Sequence, residues 1–83
     1  MIVDDNPEIR RHLCETSTFH EFHVCAEAEN GRQAIKKGRE CRPELIVLDL
    51  SMPLMNGLEA APEIRKILPN TPVILYGVFG KCF

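Results

Sequence analysis

Tryptophan is absent and tyrosine occurs once, so aromatic residues make up only 6% of the chain. There is no interleaving of aromatic and basic residues of the kind that grips nucleic acid by stacking. Long apolar runs are missing too. None exceeds the four residues of Leu45–Leu48, and Met1 is followed almost at once by Asp4 and Asp5. Neither a membrane-spanning helix nor a signal peptide is therefore expected. No charge sign dominates: 12 acids against 10 bases give a net −2 and a pI near 5.9. Such a chain has no general attraction to nucleic acid or to anionic membrane. CxxC pairs are missing as well. Cys14, Cys25, Cys41 and Cys82 lack the glycine-rich loops of a disulfide scaffold, and reduced, partly buried thiols in a cytoplasmic protein are expected instead. His20 and His23 lie near Cys25, but no fourth ligand stands at zinc-site spacing. At 83 residues the chain is one domain with a thin core, burying roughly 60–65% of its unfolded surface.

What is present alternates in period. Met1-Ile2-Val3 is a short apolar run closed by Asp4-Asp5, and Asn6-Pro7 reads as a helix cap followed by proline at the first helical position. Ile9 and Leu13 share one face of that helix. Phe22 to Ala28 alternates with period two, which predicts a second strand with Phe22, Val24 and Ala26 on one side. Asn30-Gly31 opens a second helix bearing Ala34, Ile35 and Cys41 on its apolar side. Leu45–Leu48 is apolar throughout, so helices are expected on both faces of its sheet. A loop from Leu50 to Asn56 leads into a third helix from Gly57, with Leu58, Ala61, Ile64 and Leu68 at helical spacing. Pro62 is expected to fall early enough to need no N–H. Val73–Tyr76 reads as a fourth strand after Pro72. The order βαβαβαβ with right-handed crossovers predicts an α/β fold, a parallel sheet with helices on both faces.

In such a sheet ligands bind beyond the carboxyl ends of the strands. Asp4 and Asp5 follow the first strand and Asp49 follows the third. A single aspartate there is commonly a cap or turn residue, but three converging carboxylates repel by roughly 1–4 kcal/mol per pair. That arrangement calls for a hard cation with oxygen ligands, and magnesium, with its retained waters and room for a phosphate oxygen, suits it best.

Val3-Asp4-Asp5 and Leu48-Asp49-Leu50-Ser51-Met52-Pro53-Leu54-Met55-Asn56-Gly57, with Asn30-Gly31 and Pro72-Val73, closely resemble the receiver domain of bacterial two-component response regulators. The resemblance runs from residue 1 to about 76 and leaves 77–83 as a divergent tail. It implies the flavodoxin-like receiver fold, incomplete here: a single domain over 1–83 lacking the last helices and the fifth strand. It implies Asp49 as the phosphoacceptor, and Asp4, Asp5 and Asp49 with the Ser51 backbone carbonyl as magnesium ligands. It also implies a sensor histidine kinase as partner.

Two departures stand against it. The family's Thr or Ser at the end of the fourth strand is Gly77 here, and the family's Lys after a fifth strand has no counterpart, a role that Lys81 does not take over. Phosphoryl transfer is accordingly expected to be impaired. The alternative is a degenerate receiver that works as a phosphorylation-independent dimerisation or interaction module. A stand-alone phosphohydrolase would need a DxD nucleophile motif, which the chain lacks, so it is not expected to be an enzyme. The basic second helix (Arg32, Lys36, Lys37, Arg39, Arg42) reads as a solvated face, not as a nucleic-acid surface. With no fifth strand, Val73–Tyr76 becomes an open edge, and a homodimer through this strand and the tail is expected.

Overall fold

The computed structural model describes residues 1–19 and 23–77. Seven elements follow one another: β1 (Ile2–Val3), α1 (Pro7–Phe19), β2 (Glu27–Ala28), α2 (Gly31–Cys41), β3 (Ile46–Asp49), α3 (Gly57–Ile67) and β4 (Val73–Tyr76). The strands form one sheet in the order β2-β1-β3-β4, with every pairing parallel. The alternating strand–helix pattern in the sequence predicts the parallel pairing, and for its physical reason: parallel neighbours need a crossover, and each crossover here is a helix.

Local capping follows the sequence closely. The Asn6 side chain accepts the N–H groups of Glu8 (2.9 Å) and Ile9 (3.3 Å) at the start of α1. Asn30 accepts the Gln33 N–H at 2.9 Å. Asn56 and Glu59 cap α3 reciprocally, at 2.9 and 3.1 Å. Each cap satisfies amide donors that the helix itself leaves unpaired.

The two faces of the sheet are covered unequally. On one, Val3, Ile46 and Leu48 pack against Ala34 of α2 and Ala60 and Ile64 of α3, all six without exposed surface. On the other, Ile2 and its register partner Val47 lie beside Leu13 of α1. Among the described residues only α1 covers this side; Val47 is half-buried and Ile9 is 40% exposed despite its place on the apolar stripe. β4 carries little cover on either face, with Ile74 51% and Leu75 41% exposed.

Two elements depart from expectation. β2 pairs only over Glu27–Ala28, although the predicted alternation persists upstream with Val24 and Ala26 half-buried and Cys25 and Glu27 exposed. Its sole ladder partner, β1, is itself two residues long and offers nothing further to pair with. Phe22 lies outside the described residues. In α3 the first intrahelical bond already forms at Ala60, whose N–H donates to Asn56 at 2.9 Å. Pro62 therefore falls where a donor is normally used. The helix continues through it to Ile67 because Leu58 and Pro62 both lie on the exposed side, where water can satisfy the Leu58 carbonyl.

Gly57 is where α3 meets the end of β3. Its N–H donates to the Leu50 carbonyl at 3.1 Å, and a Cβ there would overlap the Asp49 carbonyl oxygen. Replacing Gly57 by Ala should cost about 1–3 kcal/mol through forced backbone displacement. The neighbouring Leu58→Ala, at an exposed position, should change stability by under about 0.5 kcal/mol beyond its small propensity effect. Urea denaturation of the two variants checks the contrast.

Candidate functional site: an aspartate cluster at the carboxyl ends of the strands

Parallel pairing of Val3 with Leu48 sets the next residues of the two strands, Asp4 and Asp49, side by side. Carboxylate oxygens of Asp4, Asp5 and Asp49 lie within 4.8 Å of one another. Asp4 and Asp49 are each 1% exposed, whereas Asp5 faces solvent. Two buried acids and one exposed acid thus come together at the carboxyl edge of the sheet. Among the described residues this is the group of metal-binding side chains that comes together. His20 lies outside those residues.

Both carboxylate oxygens of Asp4 are engaged. Oδ1 accepts the Asn6 N–H at 2.8 Å, and Oδ2 accepts the Tyr76 hydroxyl. The Asp4 backbone carbonyl accepts Arg10 Nη1 at 2.7 Å, while Arg10 Nε reaches Glu27 at 3.3 Å. One guanidinium therefore bridges the end of β1 to β2 while contacting the acid crevice only through a main-chain oxygen. Asp49 Oδ1 accepts the Ser51 N–H at 3.2 Å. The loop between β3 and α3 is pinned at its far end by the Gly31 N–H donating to Met55 at 3.0 Å.

Asp4, Asp5 and Asp49 converge, and Ser51 adjoins Asp49 through its amide. Gly77, at the position of the missing hydroxyl, has φ 101°, and a Cβ built on it would lie 2.6 Å from Asp49 Oδ1. The absent side chain is thus more than a lost donor: glycine here lets the backbone at the end of β4 pass against the Asp49 carboxylate.

Tyr76 is the residue that sequence reasoning missed. It reads as the last apolar position of a strand, and the only available signal is its place beside Gly77 in register with Asp49. Burial, followed by the hydrogen bond and negative charge of Asp4 and then the charges of Asp49 and Asp5, raises its phenol well above the ordinary tyrosine range.

A doubly wound parallel sheet with an acid crevice at its carboxyl edge defines a class of proteins in which phosphate-bearing ligands or ions bind at that edge. A family model for the response regulator receiver domain matches residues 1–83. The chemotaxis protein CheY of Thermotoga maritima is 40% identical over 81 residues, covering 98% of this chain and 68% of that protein. A protein-glutamate methylesterase/protein-glutamine glutaminase of Pyrococcus horikoshii is 41% identical over 76 residues, covering 90% of this chain and 20% of the relative. Two solved structures superpose closely. The REC domain of the response regulator AraT from Geobacillus stearothermophilus has a TM-score of 0.82 at 37% identity, covering 89% of this chain and 59% of that one. The CheX–CheY–BeF3–Mg2+ complex from Borrelia burgdorferi has a TM-score of 0.89 at 29% identity, with 98% and 62% covered. The chain belongs to the response regulator receiver domain family.

Tyr76 is the only tyrosine and there is no tryptophan, so phenolate absorbance reads this one group. In the folded protein it should appear only at pH well above about 10, and denaturant should return it to that ordinary value. The sign follows from the raised value. The unfolded chain ionises first, so stability held below pH of about 10 is lost as pH climbs beyond it.

Proposed function

We propose that the chain is a phosphoryl-accepting receiver module of a two-component signalling system, with Asp49 as the acceptor. The observation that carries this reading is the convergence of Asp4, Asp5 and Asp49 within 4.8 Å at adjacent strand ends in a member of the receiver family. The Borrelia neighbour, solved with BeF3 and Mg2+, supports it.

A donor set of carboxylate oxygens, two of the three side chains nearly fully buried, fits a hard divalent cation. Asp4, Asp5 and Asp49, with the Ser51 backbone carbonyl, would hold magnesium, which when bound would neutralise charge on phosphoryl oxygens. The chain's own residues supply the nucleophile and its positioning. A carboxylate oxygen of Asp49 forms a bond to the phosphorus of a phosphohistidine on a sensor kinase while the phosphorus–nitrogen bond breaks. The departing imidazole takes up a proton, and the product is an acyl phosphate. The Ser51 amide orients Asp49 and the Tyr76 hydroxyl holds Asp4. Gly77 contributes no hydroxyl to the transferred group, and losing such a donor to a charged group typically costs about 1.5–3 kcal/mol. Transfer is therefore slow and incomplete. On this reading the domain is the kinase's substrate and not an enzyme, it acts in the cytoplasm, and it contacts neither membrane nor nucleic acid. Among the described residues no helix is long and apolar enough to cross a membrane.

Incubation with acetyl phosphate and magnesium, followed by intact-mass analysis, tests the reading. Partial gain of one phosphoryl group is expected, with none in Asp49→Asn. Complete conversion would contradict the impairment, and no conversion of the parent chain would remove Asp49 as acceptor.

The exposure of Ile74 and Leu75 on the terminal strand of the sheet favours a second reading, a module that dimerises without phosphorylation. The tail that would share this contact, residues 78–83, lies outside the described residues. Burying about 400 Å² of apolar surface per subunit would contribute roughly 10 kcal/mol before association costs. Light scattering coupled to size exclusion should find a two-fold dimer that persists in Asp49→Asn. A monodisperse, folded monomer would refute it.

A further inference from the structure

At the opposite end of the sheet from the aspartates, two cysteines meet. Cys25 lies in the chain entering β2 and Cys41 is the last residue of α2. Their sulfurs are 2.8 Å apart, well inside van der Waals contact and under about 1 Å from the length of a disulfide bond. Arg42, with φ 45° and its N–H donating to the Gly38 carbonyl at 3.0 Å, ends α2 immediately after Cys41 and fixes where that thiol sits. Cys25 is exposed and Cys41 half-buried, and both line a cleft of about 730 Å³ beneath α1, together with Leu13, His23 and Val47. A small oxidant has access to the pair.

We propose that Cys25 and Cys41 are a peroxide-oxidisable pair that closes to an intramolecular disulfide, joining the end of α2 to the strand that borders the sheet. The Cys25 sulfur gives up its proton and attacks one oxygen of hydrogen peroxide. The O–O bond breaks, water leaves after protonation, and Cys25 becomes a sulfenic acid. The Cys41 sulfur then attacks the Cys25 sulfur. The S–O bond breaks, and the hydroxyl departs as water with the Cys41 proton. Two thiols lose two electrons in all, and one peroxide is reduced to two waters.

The surroundings assign the order of attack. Burial and the hydrogen bond to Cys25 push Cys41 up to about 11, which leaves the exposed Cys25 as the sulfur that meets peroxide. Burial, and then the charge of Glu27, raises Cys14 and holds it as a thiol. β2 pairs through only two residues and lies at the edge of the sheet, so a covalent tie just upstream of it reinforces a short edge ladder. The pair is independent of the phosphoryl-acceptor reading, because it lies at the amino ends of the strands.

The test uses the full chain as C14S/C82S, so that Cys25 and Cys41 are the only thiols. Stoichiometric hydrogen peroxide should remove both titratable thiols with the loss of two hydrogens from the intact mass. The product should remain one chain, melt higher than the reduced form, and revert on reduction. Adding C25S should leave the Cys41 thiol intact under the same treatment. Persistence of both thiols, a link between chains, oxygen addition without closure, or a lower melting temperature would overturn the proposal. If C14S/C82S does not fold, peptide mapping of the oxidised parent chain decides instead. A Cys25–Cys41 linked peptide supports the pair, and links confined to Cys14 or Cys82 refute it.

Discussion

The pairing of β1 with β3 is the constraint from which the rest of this domain follows. Val3 and Leu48 are register partners, fully buried and adjacent at the centre of the sheet. Once they pair, the next residue of each strand is an aspartate delivered to the same point. Burying two carboxylates side by side is unfavourable by itself. The chain offsets part of that cost locally, through amide donors from Asn6 and Ser51 and the Tyr76 hydroxyl. The hydrophobic core therefore serves as the jig for the polar site: shifting β1 by one residue would turn Val3 outward and take Asp4 out of the crevice.

Much of this was legible in the sequence. The three asparagine caps lie where short polar side chains precede a helical period. The aspartates follow apolar runs that have only one plausible role in a parallel sheet. What escaped the sequence depended on relations between elements. The shortness of β2 is set by the length of its neighbour, which no local alternation encodes. The exposure of Ile9 reflects how little of the α1 face is covered, and the helical pattern predicts a stripe without predicting its cover. Pro62 was misplaced because capping by Asn56 starts the ladder at Ala60. Tyr76 read only as the last apolar position of a strand, since strand propensity says nothing about where a hydroxyl ends.

Gly77 and Tyr76 together alter the chemistry of the crevice in a way neither does alone. Glycine lets the end of β4 pass close against Asp49, and the preceding residue sends a hydroxyl to Asp4. The crevice thus keeps one hydroxyl donor, but that donor serves the acid of β1 and not the group that Asp49 would carry. Where the resemblance places a hydroxyl at position 77, this chain carries one at position 76, and it bonds Asp4.

The parallel register has a kinetic consequence as well. No two strands of this sheet are joined by a tight turn, and every ladder pairs segments separated in sequence by at least one whole helix. No hairpin is available to start the sheet, so loop-closure entropy must be met before the first interstrand bond forms. The capped helices can form locally and early. Closing β1 onto β2 spans α1 alone, whereas closing it onto β3, which brings Asp4 to Asp49, spans both α1 and α2 and is the entropically costlier step.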